Sequence, residues 1–374
     1  MIIVMKADLP PDSAELKQVL SLAESFPGIS TQVHRIQGAT RSLTEIYLVG
    51  PTGVVPEAPF EEFECVEKVV RITQRFRAIG RHDSGLEAVG FEYNGVHISQ
   101  DTFHVFAGLC AIDNRENVEK TFAALRRAGI VTTRAGAYKP RTSPYDFQGH
   151  GASALPYVFE LAGKYGIKII AMEITHESQI DEIRHALKDS GNATGVMLQI
   201  GTRNAQNFEL LKVVGQQTEM PVLFKRGMGV TLEESLNACE YIASGGNRRI
   251  VFGLRGVKSH LGDPHRNFVD FAHVPVVKRL TRLPVCVDPS HSVGRRSGGP
   301  EGILDIFHVT AQGVITGANM VLVDVHPKPE AALCDGPQAM LLEELPHFLD
   351  DVSICRRAYE ERRKRAAMPE AATA

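Results

Sequence analysis

The chain has 374 residues, 43% of them hydrophobic, and a formal net charge of −3, which is enough for a large core plus a smaller domain. Near neutrality excludes a global attraction to nucleic acid or to anionic membrane surfaces, so any anion binding has to be local. No run approaches the roughly 20 apolar residues of a membrane span, and the start, MIIVMKADLPPD, turns acidic too soon for a secretory signal; the expectation is a cytoplasmic protein.

Residues 1–75 read as a small α+β unit. MIIVMKA is strand-like, PDSAELKQVLSLAESF has helical spacing, and STQVHRIQ, TEIYLVG and CVEKVVRIT follow as further strands with a short helical stretch around Phe60 to Phe63. That pattern suits one helical layer on an antiparallel sheet. Residues 76–101 form a connector in which GFEYNGVHIS places Asn-Gly between alternating apolar residues, a strong hairpin signal. From residue 102 to 363 eight apolar runs alternate with helical patterns: TFHVFAG, IVTTRAG, KIIAME, GVMLQIG, PVLFKRG, RIVFGLRG, LPVCVDPSH and MVLVDVHP. Eight such repeats fit an α/β fold of the (β/α)8, or TIM, barrel type. An open doubly wound sheet competes, but no GxGxxG follows the first run. The tail, 364–374, reads as frayed.

In a barrel the C-terminal strand ends share one face, where catalytic residues gather. Those ends carry Cys110, Arg134, Lys139, Arg141, Glu173, Arg203, Lys225, Arg255, Asp288, His291, Asp324 and His326. The run RAGAYKPRTSPYDFQG, from Arg134 to Gly149, crowds three cations among glycine, proline and hydroxyls, a composition suited to phosphate. Arg134, Arg203, Lys225 and Arg255, arriving from four strands, should repel one another without an anion between them, and a phosphoenol acid would supply it. Cys110, His291, Asp324 and Asp335 offer a thiolate, an imidazole and two carboxylates, a set suited to a divalent transition ion such as Mn, Fe, Co or Zn. A plain buried thiol competes for Cys110 and a helix N-cap for Asp335. The six cysteines form no CxxC pair, and only Cys110 and Cys334 stand beside other reactive groups.

The motifs AGLC, RAGAYKPRTSPYDFQG, QIGTRNAQNF, PVLFKRGMGVTLEE, EYIASGGN, RNFVDFAHVPVVK, LPVCVDPSHSVGRR and VDVHPKPEAALCDGPQ, in that order, resemble the type I 3-deoxy-D-arabino-heptulosonate 7-phosphate (DAHP) synthases, in the subgroup with a small N-terminal ferredoxin-like regulatory domain. The resemblance implies a transferase that condenses phosphoenolpyruvate with erythrose 4-phosphate and releases phosphate, at the entrance to the shikimate pathway or in a specialised branch of it. It places Cys110, His291, Asp324 and Asp335 on metal-ligand positions. Arg134, Lys139, Arg203, Lys225 and Arg255 fall on positions that hold phosphoenolpyruvate, and Arg141, Thr142 and Ser143 on the loop that holds the aldose phosphate. Lys139 and His291 are the catalytic residues of this reading. A lysine crowded by arginines should have a lowered pKa and donate a proton to the new alkoxide, with a pure phosphate clamp as its alternative role.

The same resemblance implies a homo-oligomer, dimer or tetramer, and an N-terminal unit that gates the barrel mouth on binding an aromatic amino acid; a structural or assembly role is the alternative. Departures from the usual pattern are Leu109 for Pro, Asp324 for Glu, Thr202 for Ala, Gly253-Leu254 for Cys-Glu, and a longer loop in SGGPEGILDIF. Two other readings stand beside the first: condensation with a different aldose phosphate, and a non-catalytic phosphoenolpyruvate-binding paralogue.

Overall fold

The computed structural model describes residues 1–37, 42–71, 76–82 and 90–367. The end of the expected run CVEKVVRIT, part of the connector, and residues 368–374 of the expected tail lie outside the described residues. The first unit comprises β1 (Ile2–Met5), α1 (Ala14–Glu24), β2 (Ser30–Gln37), β3 (Ser42–Val49), a one-turn α2 (Ala58–Glu61) and β4 (Val66–Val70). Its strands lie antiparallel in the order β2-β3-β1-β4. The Ser13 hydroxyl accepts the Leu16 N–H and starts α1; Leu16, Val19 and Ala23, three and four residues apart, are its buried face.

A hairpin follows, β5 (Phe91–Tyr93) and β6 (Val96–Ile98), turned by Asn94 and Gly95 with φ of 47° and 76°. Two successive left-handed residues give the turn that matches strand twist, which is why Asn-Gly stands there. The remaining elements are β7 (His104–Gly108), α3 (Arg115–Arg127), β8 (Thr132–Arg134), α4 (Leu155–Tyr165), β9 (Ile169–Ile174), α5 (Ser178–Asp189), β10 (Gly195–Ile200), α6 (Phe208–Gln216), β11 (Val222–Lys225) and α7 (Leu232–Ser244). After them come β12 (Ile250–Leu254), α8 (Val274–Leu280), β13 (Val285–Val287), α9 (Pro289–Val293), α10 (Asp305–Ile315), β14 (Met320–His326), β15 (Met340–Leu341) and α11 (Leu345–Ala366). Parallel pairing runs from β8 through β14, and β14 pairs β7. One bridge, Leu109 with Ala135, joins β7 to β8. The result is the expected (β/α)8 barrel, nearly closed, beside a small antiparallel sheet. Among the described residues no helix is long and apolar enough to cross a membrane.

Strand alternation sorts the barrel residues into two sets. Val321, Val323 and Val325 of β14 join the core shared with the helices, whereas Met320 and Leu322 join an inner cluster with Phe106, Ile169, Met197 and Leu223. The hairpin residues Phe91, Val96 and Ile98 belong to that inner cluster, so they plug the N-terminal end of the barrel. Continuing the inward parity toward the strand ends replaces apolar residues by Cys110, Arg134, Glu173, Lys225, Arg255, Asp288 and Asp324. One end of the cylinder is filled with hydrocarbon, and the other with ionisable groups.

The N-terminal sheet is fastened at the plugged end. Glu45 and Tyr47 of β3 meet Arg248 and Arg282, which shortly precede β12 and β13. Arg282 Nη1 lies 2.5 Å from Glu45 Oε1, Arg248 Nη1 is 3.4 Å from Glu45 Oε2, and the Tyr47 hydroxyl donates to Glu45 Oε2 at 2.8 Å. Arg282 is 1% exposed and Glu45 0%. Burial works against the Glu45 carboxylate, but the Arg282 charge and hydrogen bonds overcome it and hold the pKa below the usual range. Glu240 of α7 accepts the N–H groups of Arg77, Ala78 and Ile79, adding a second tether. The anchoring residues thus place the N-terminal sheet at the strand starts, at the opposite ends of the strands from the polar mouth.

Removing one partner of a buried ion pair leaves the other charged and desolvated. Glu45→Ala is therefore expected to lower stability by about 3–5 kcal/mol, read as the midpoint of denaturant unfolding, with Arg282 as the stranded charge; a midpoint unchanged from the parent would show the cluster to be dispensable.

Candidate active site

At the polar end, β7, β8 and β14 come together. Asp324 stands opposite Gly108 in the β14–β7 register, and a Cβ on Gly108 would lie 2.1 Å from the Arg134 carbonyl oxygen. The missing side chain lets β8 approach, and Arg134 reaches across: its Nη1 is 2.5 Å from Asp324 Oδ1, with both groups buried. Asp324 Oδ2 accepts the Gln338 amide at 2.6 Å. On the neighbouring strands, Lys225 Nζ is 2.5 Å from Asp288 Oδ2.

These two pairs set two carboxylates among the four cations, anions that sequence reading looked for in a substrate alone. Arg134 and Lys225 already have carboxylate partners. Arg255 differs: it is 2% exposed, and among the described residues its Nε and Nη1 have no hydrogen-bond partner. Burial lowers its pKa, with Asp288 acting the other way. Arg203 is exposed and donates to Thr142 Oγ1 at 3.4 Å, which brings the β10 and β8 loops together.

Asp288 also positions His291. It caps the short helix α9, its Oδ1 accepting the His291 backbone N–H at 3.1 Å, and it contacts His291 Nδ1 at 3.0 Å. With Nδ1 held there, Nε2 faces Cys110 Sγ at 3.9 Å and Asp335 Oδ2 at 3.8 Å. Burial works to raise the Asp288 pKa, but His291 and Lys225 hold it well below the usual range. Burial lowers the pKa of His291, favouring the neutral ring that can bind a metal.

Cys110 lies under Lys139, whose Nζ donates to the Cys110 carbonyl at 2.7 Å and approaches its Sγ at 3.3 Å. Lys139 Nζ is also 3.9 Å from Glu173 Oε2. The expected lowering of the Lys139 pKa is overturned. Burial does act downward, but Cys110, when ionised, and Glu173 outweigh it and the nearby arginine, so this ammonium stays firmly charged.

Asp335 has a left-handed backbone, φ 54°, ahead of the turn Gly336–Gln338, and its side chain caps no helix N–H there. The N-cap alternative therefore fails: Oδ2 instead accepts from Cys110 Sγ and Cys334 Sγ, each at 3.2 Å. Burial works to raise its pKa, but His291, Lys139 and the two thiols hold it far below the ordinary carboxylate range. The donor atoms of Cys110, His291 and Asp324 lie within 4.8 Å of one another, as do those of Cys110, Cys334 and Asp335. Sulfur, imidazole and carboxylate converging this closely can hold a divalent ion.

Arg141 donates to Cys334 Sγ at 2.6 Å and to Asp146 Oδ2 at 3.2 Å. Thr142 is exposed and Ser143 half-buried on the same loop, and the Ser143 hydroxyl accepts the Tyr145 N–H at 3.3 Å. His326 does not join the cluster; its Nε2 contacts Asp113 Oδ2 at 2.7 Å and its Nδ1 accepts the Lys328 N–H at 3.0 Å, so it staples the loop. Sequence reading missed Gln338 and gave Cys334 no role. Their adjacency to Asp335 was the available signal.

A (β/α)8 barrel whose strand ends gather buried cations and a compact donor cluster is the frame of an enzyme. The family model described as the DAHP synthetase I family matches residues 82–357, and the chain belongs to that family. It is 36% identical over 363 residues, 95% of this chain and 99% of the other, to the phospho-2-dehydro-3-deoxyheptonate aldolase of Thermotoga maritima. The crystal structure of that aldolase (DAHP synthase) is similar at a TM-score of 0.67 and 33% identity, covering 96% of this chain and 97% of that one. A 2-dehydro-3-deoxyphosphooctonate aldolase of Syntrophobacter fumaroxidans is 26% identical over 70% of this chain and 89% of its own length.

Asp288→Asn keeps the shape of the capping residue and removes the charge that orients His291. Zinc affinity, measured by competition with a chelator, is expected to fall roughly 10- to 100-fold, as for other carboxylates behind a ligating histidine; unaltered affinity would show that His291 is held by other means.

Proposed function

We propose that this protein is a 3-deoxy-7-phosphoheptulonate synthase, condensing phosphoenolpyruvate with erythrose 4-phosphate and releasing phosphate. The observation that carries the reading is Arg255, a buried guanidinium with two nitrogens unpartnered among the described residues. Such a group is costly unless an anion completes it. Arg134, Lys139, Lys225 and Arg203 surround the same mouth and would hold the phosphate and carboxylate of the enol acid. Arg141, Thr142 and Ser143 would hold the aldose phosphate. The full-length similarity to the Thermotoga maritima aldolase supports the same acceptor.

Cys110, His291 and Asp324 form one convergent donor set and Cys110, Cys334 and Asp335 another; with Asp288 orienting the imidazole, Cys110, His291, Asp324 and Asp335 fit a divalent transition ion. When bound, such an ion supplies Lewis acidity to the aldehyde carbonyl. The rest of the chemistry belongs to the chain. The cations fix the enol acid so that its nucleophilic carbon faces the aldehyde. Lys139, kept charged by Cys110 and Glu173, offers a proton to the developing alkoxide; a high pKa does not prevent donation to so strong a base. Water adds at the cationic C2 left by that attack, and the tetrahedral adduct collapses to the ketone and expels phosphate, whose charge the arginines stabilise. His291 acts as a ligand rather than a proton donor, since its Nδ1 is committed to Asp288.

An aromatic amino acid effector and a dimeric or tetrameric state belong to the same reading. With the N-terminal sheet anchored at the plugged end, control of the mouth by that unit would come from another copy of the chain. The six cysteines, none in a disulfide, accord with a reducing cytoplasm.

Phosphate release is the test. Mixing with phosphoenolpyruvate and erythrose 4-phosphate should liberate phosphate, a chelator should stop it, and arabinose 5-phosphate should be a poor substitute; release with another aldose phosphate alone would replace the acceptor. Arg255→Ala should reduce kcat/KM for phosphoenolpyruvate by about 10- to 100-fold, the loss of a charged hydrogen bond, and parent-like kinetics would remove Arg255 from the substrate site.

A further inference from the structure

Cys334 is left over by the four-ligand reading, yet it lies inside the donor cluster. Its Sγ is 3.2 Å from Asp335 Oδ2 and within 4.8 Å of Cys110 Sγ. Asp335 Oδ2 in turn is 3.2 Å from Cys110 Sγ and 3.8 Å from His291 Nε2. Cys334 thus shares its nearest neighbours with the residues assigned to the ion.

Asp324 is committed elsewhere. One oxygen is 2.5 Å from Arg134 and the other accepts from Gln338 at 2.6 Å. Its approach to His291 is on the Nδ1 side, at 3.9 Å, where Asp288 already sits at 3.0 Å. The Arg134 and Gln338 contacts hold Asp324 on that side of the cluster, and a thiol on the Asp335 side supplies a further donor.

The charges permit it. Two thiolates and two carboxylates outweigh one divalent ion, and three cations stand against these same groups: Arg134 on Asp324, Lys139 on Cys110 and Arg141 on Cys334. Without that compensation a second thiolate in a buried site would be prohibitive.

We propose that Cys334 is a second sulfur ligand of the ion at this mouth, making a two-sulfur donor set that favours zinc or cobalt over manganese. Its hydrogen bond from Arg141 then joins the ion's coordination to the loop assigned to the aldose phosphate. The proposal rests on the metal reading above.

The test uses the full chain. X-ray absorption of the zinc-loaded parent should show two sulfur scatterers at about 2.3 Å; one sulfur overturns the proposal and needs no variant. In the cobalt-loaded protein, Cys334→Ser and Cys110→Ser should each retain about half of the thiolate-to-cobalt charge-transfer absorption, with the double variant losing it. Full absorption in Cys334→Ser, with none in Cys110→Ser, overturns it. Loss of two titratable thiols without metal uptake would instead reveal a Cys110–Cys334 disulfide and overturn it as well. Phosphate release measured in parallel separates the outcomes: a one-sulfur site with normal release sinks Cys334 alone, whereas absent release from metal-loaded protein sinks the synthase reading.

Discussion

Arg134 and Asp324 meet at the seam where the barrel is least closed, and the mouth depends on that pair. Among the described residues the Leu109–Ala135 bridge and the Thr132 and Thr133 hydroxyls, bonded to the Val105 and Ala107 carbonyls, join β7 to β8, and the guanidinium that crosses from β8 to β14 adds a further tie there. Gly108 makes the crossing possible by leaving no side chain between them. The pair also decides which cations remain for substrate. With Arg134 and Lys225 already balanced by carboxylates, the charge left without a carboxylate partner among the described residues concentrates on Arg255 and on the exposed Arg203.

The opposite end is built on a different principle. A hairpin delivers hydrocarbon into the barrel and closes it to water. Outside, Glu45 and two arginines weld the N-terminal sheet to the strand starts through a buried, multiply hydrogen-bonded charge cluster. Separating plug from mouth lets one cylinder be stable at one end and strained by desolvated charge at the other, since the cost of the polar end is borne by the apolar remainder.

Much of this was legible residue by residue. Apolar runs alternating with helical patterns implied the barrel, Asn-Gly implied the hairpin, and the strand-end chemistry from Cys110 to Asp324 implied a site. One expectation failed, one alternative fell away and one condition was met by unforeseen groups, all for a common reason. Lys139 was expected to be weakened by arginines, but Cys110 and Glu173 are closer in effect. Asp335 was open to an N-cap role, but its side chain turns to the two thiols. The four cations were expected to repel without an anion between them, and Asp324 and Asp288 are interposed. Each turns on which group lies nearest, and strand order and alternation alone do not supply that distance.

By itself the sequence determined the periodicities: strand and helix lengths, the inward parity that carries polar residues to one end, and the order of motifs that marks the family. These are local properties, set by backbone geometry and side-chain alternation within a few residues. Tertiary structure alone decided pairing. Cys110 and Asp335 are 225 positions apart yet within 3.2 Å, and the N-terminal sheet sits against the strand starts rather than the mouth. Electrostatic energy depends on separation in space and on burial, and both are set only when the barrel closes.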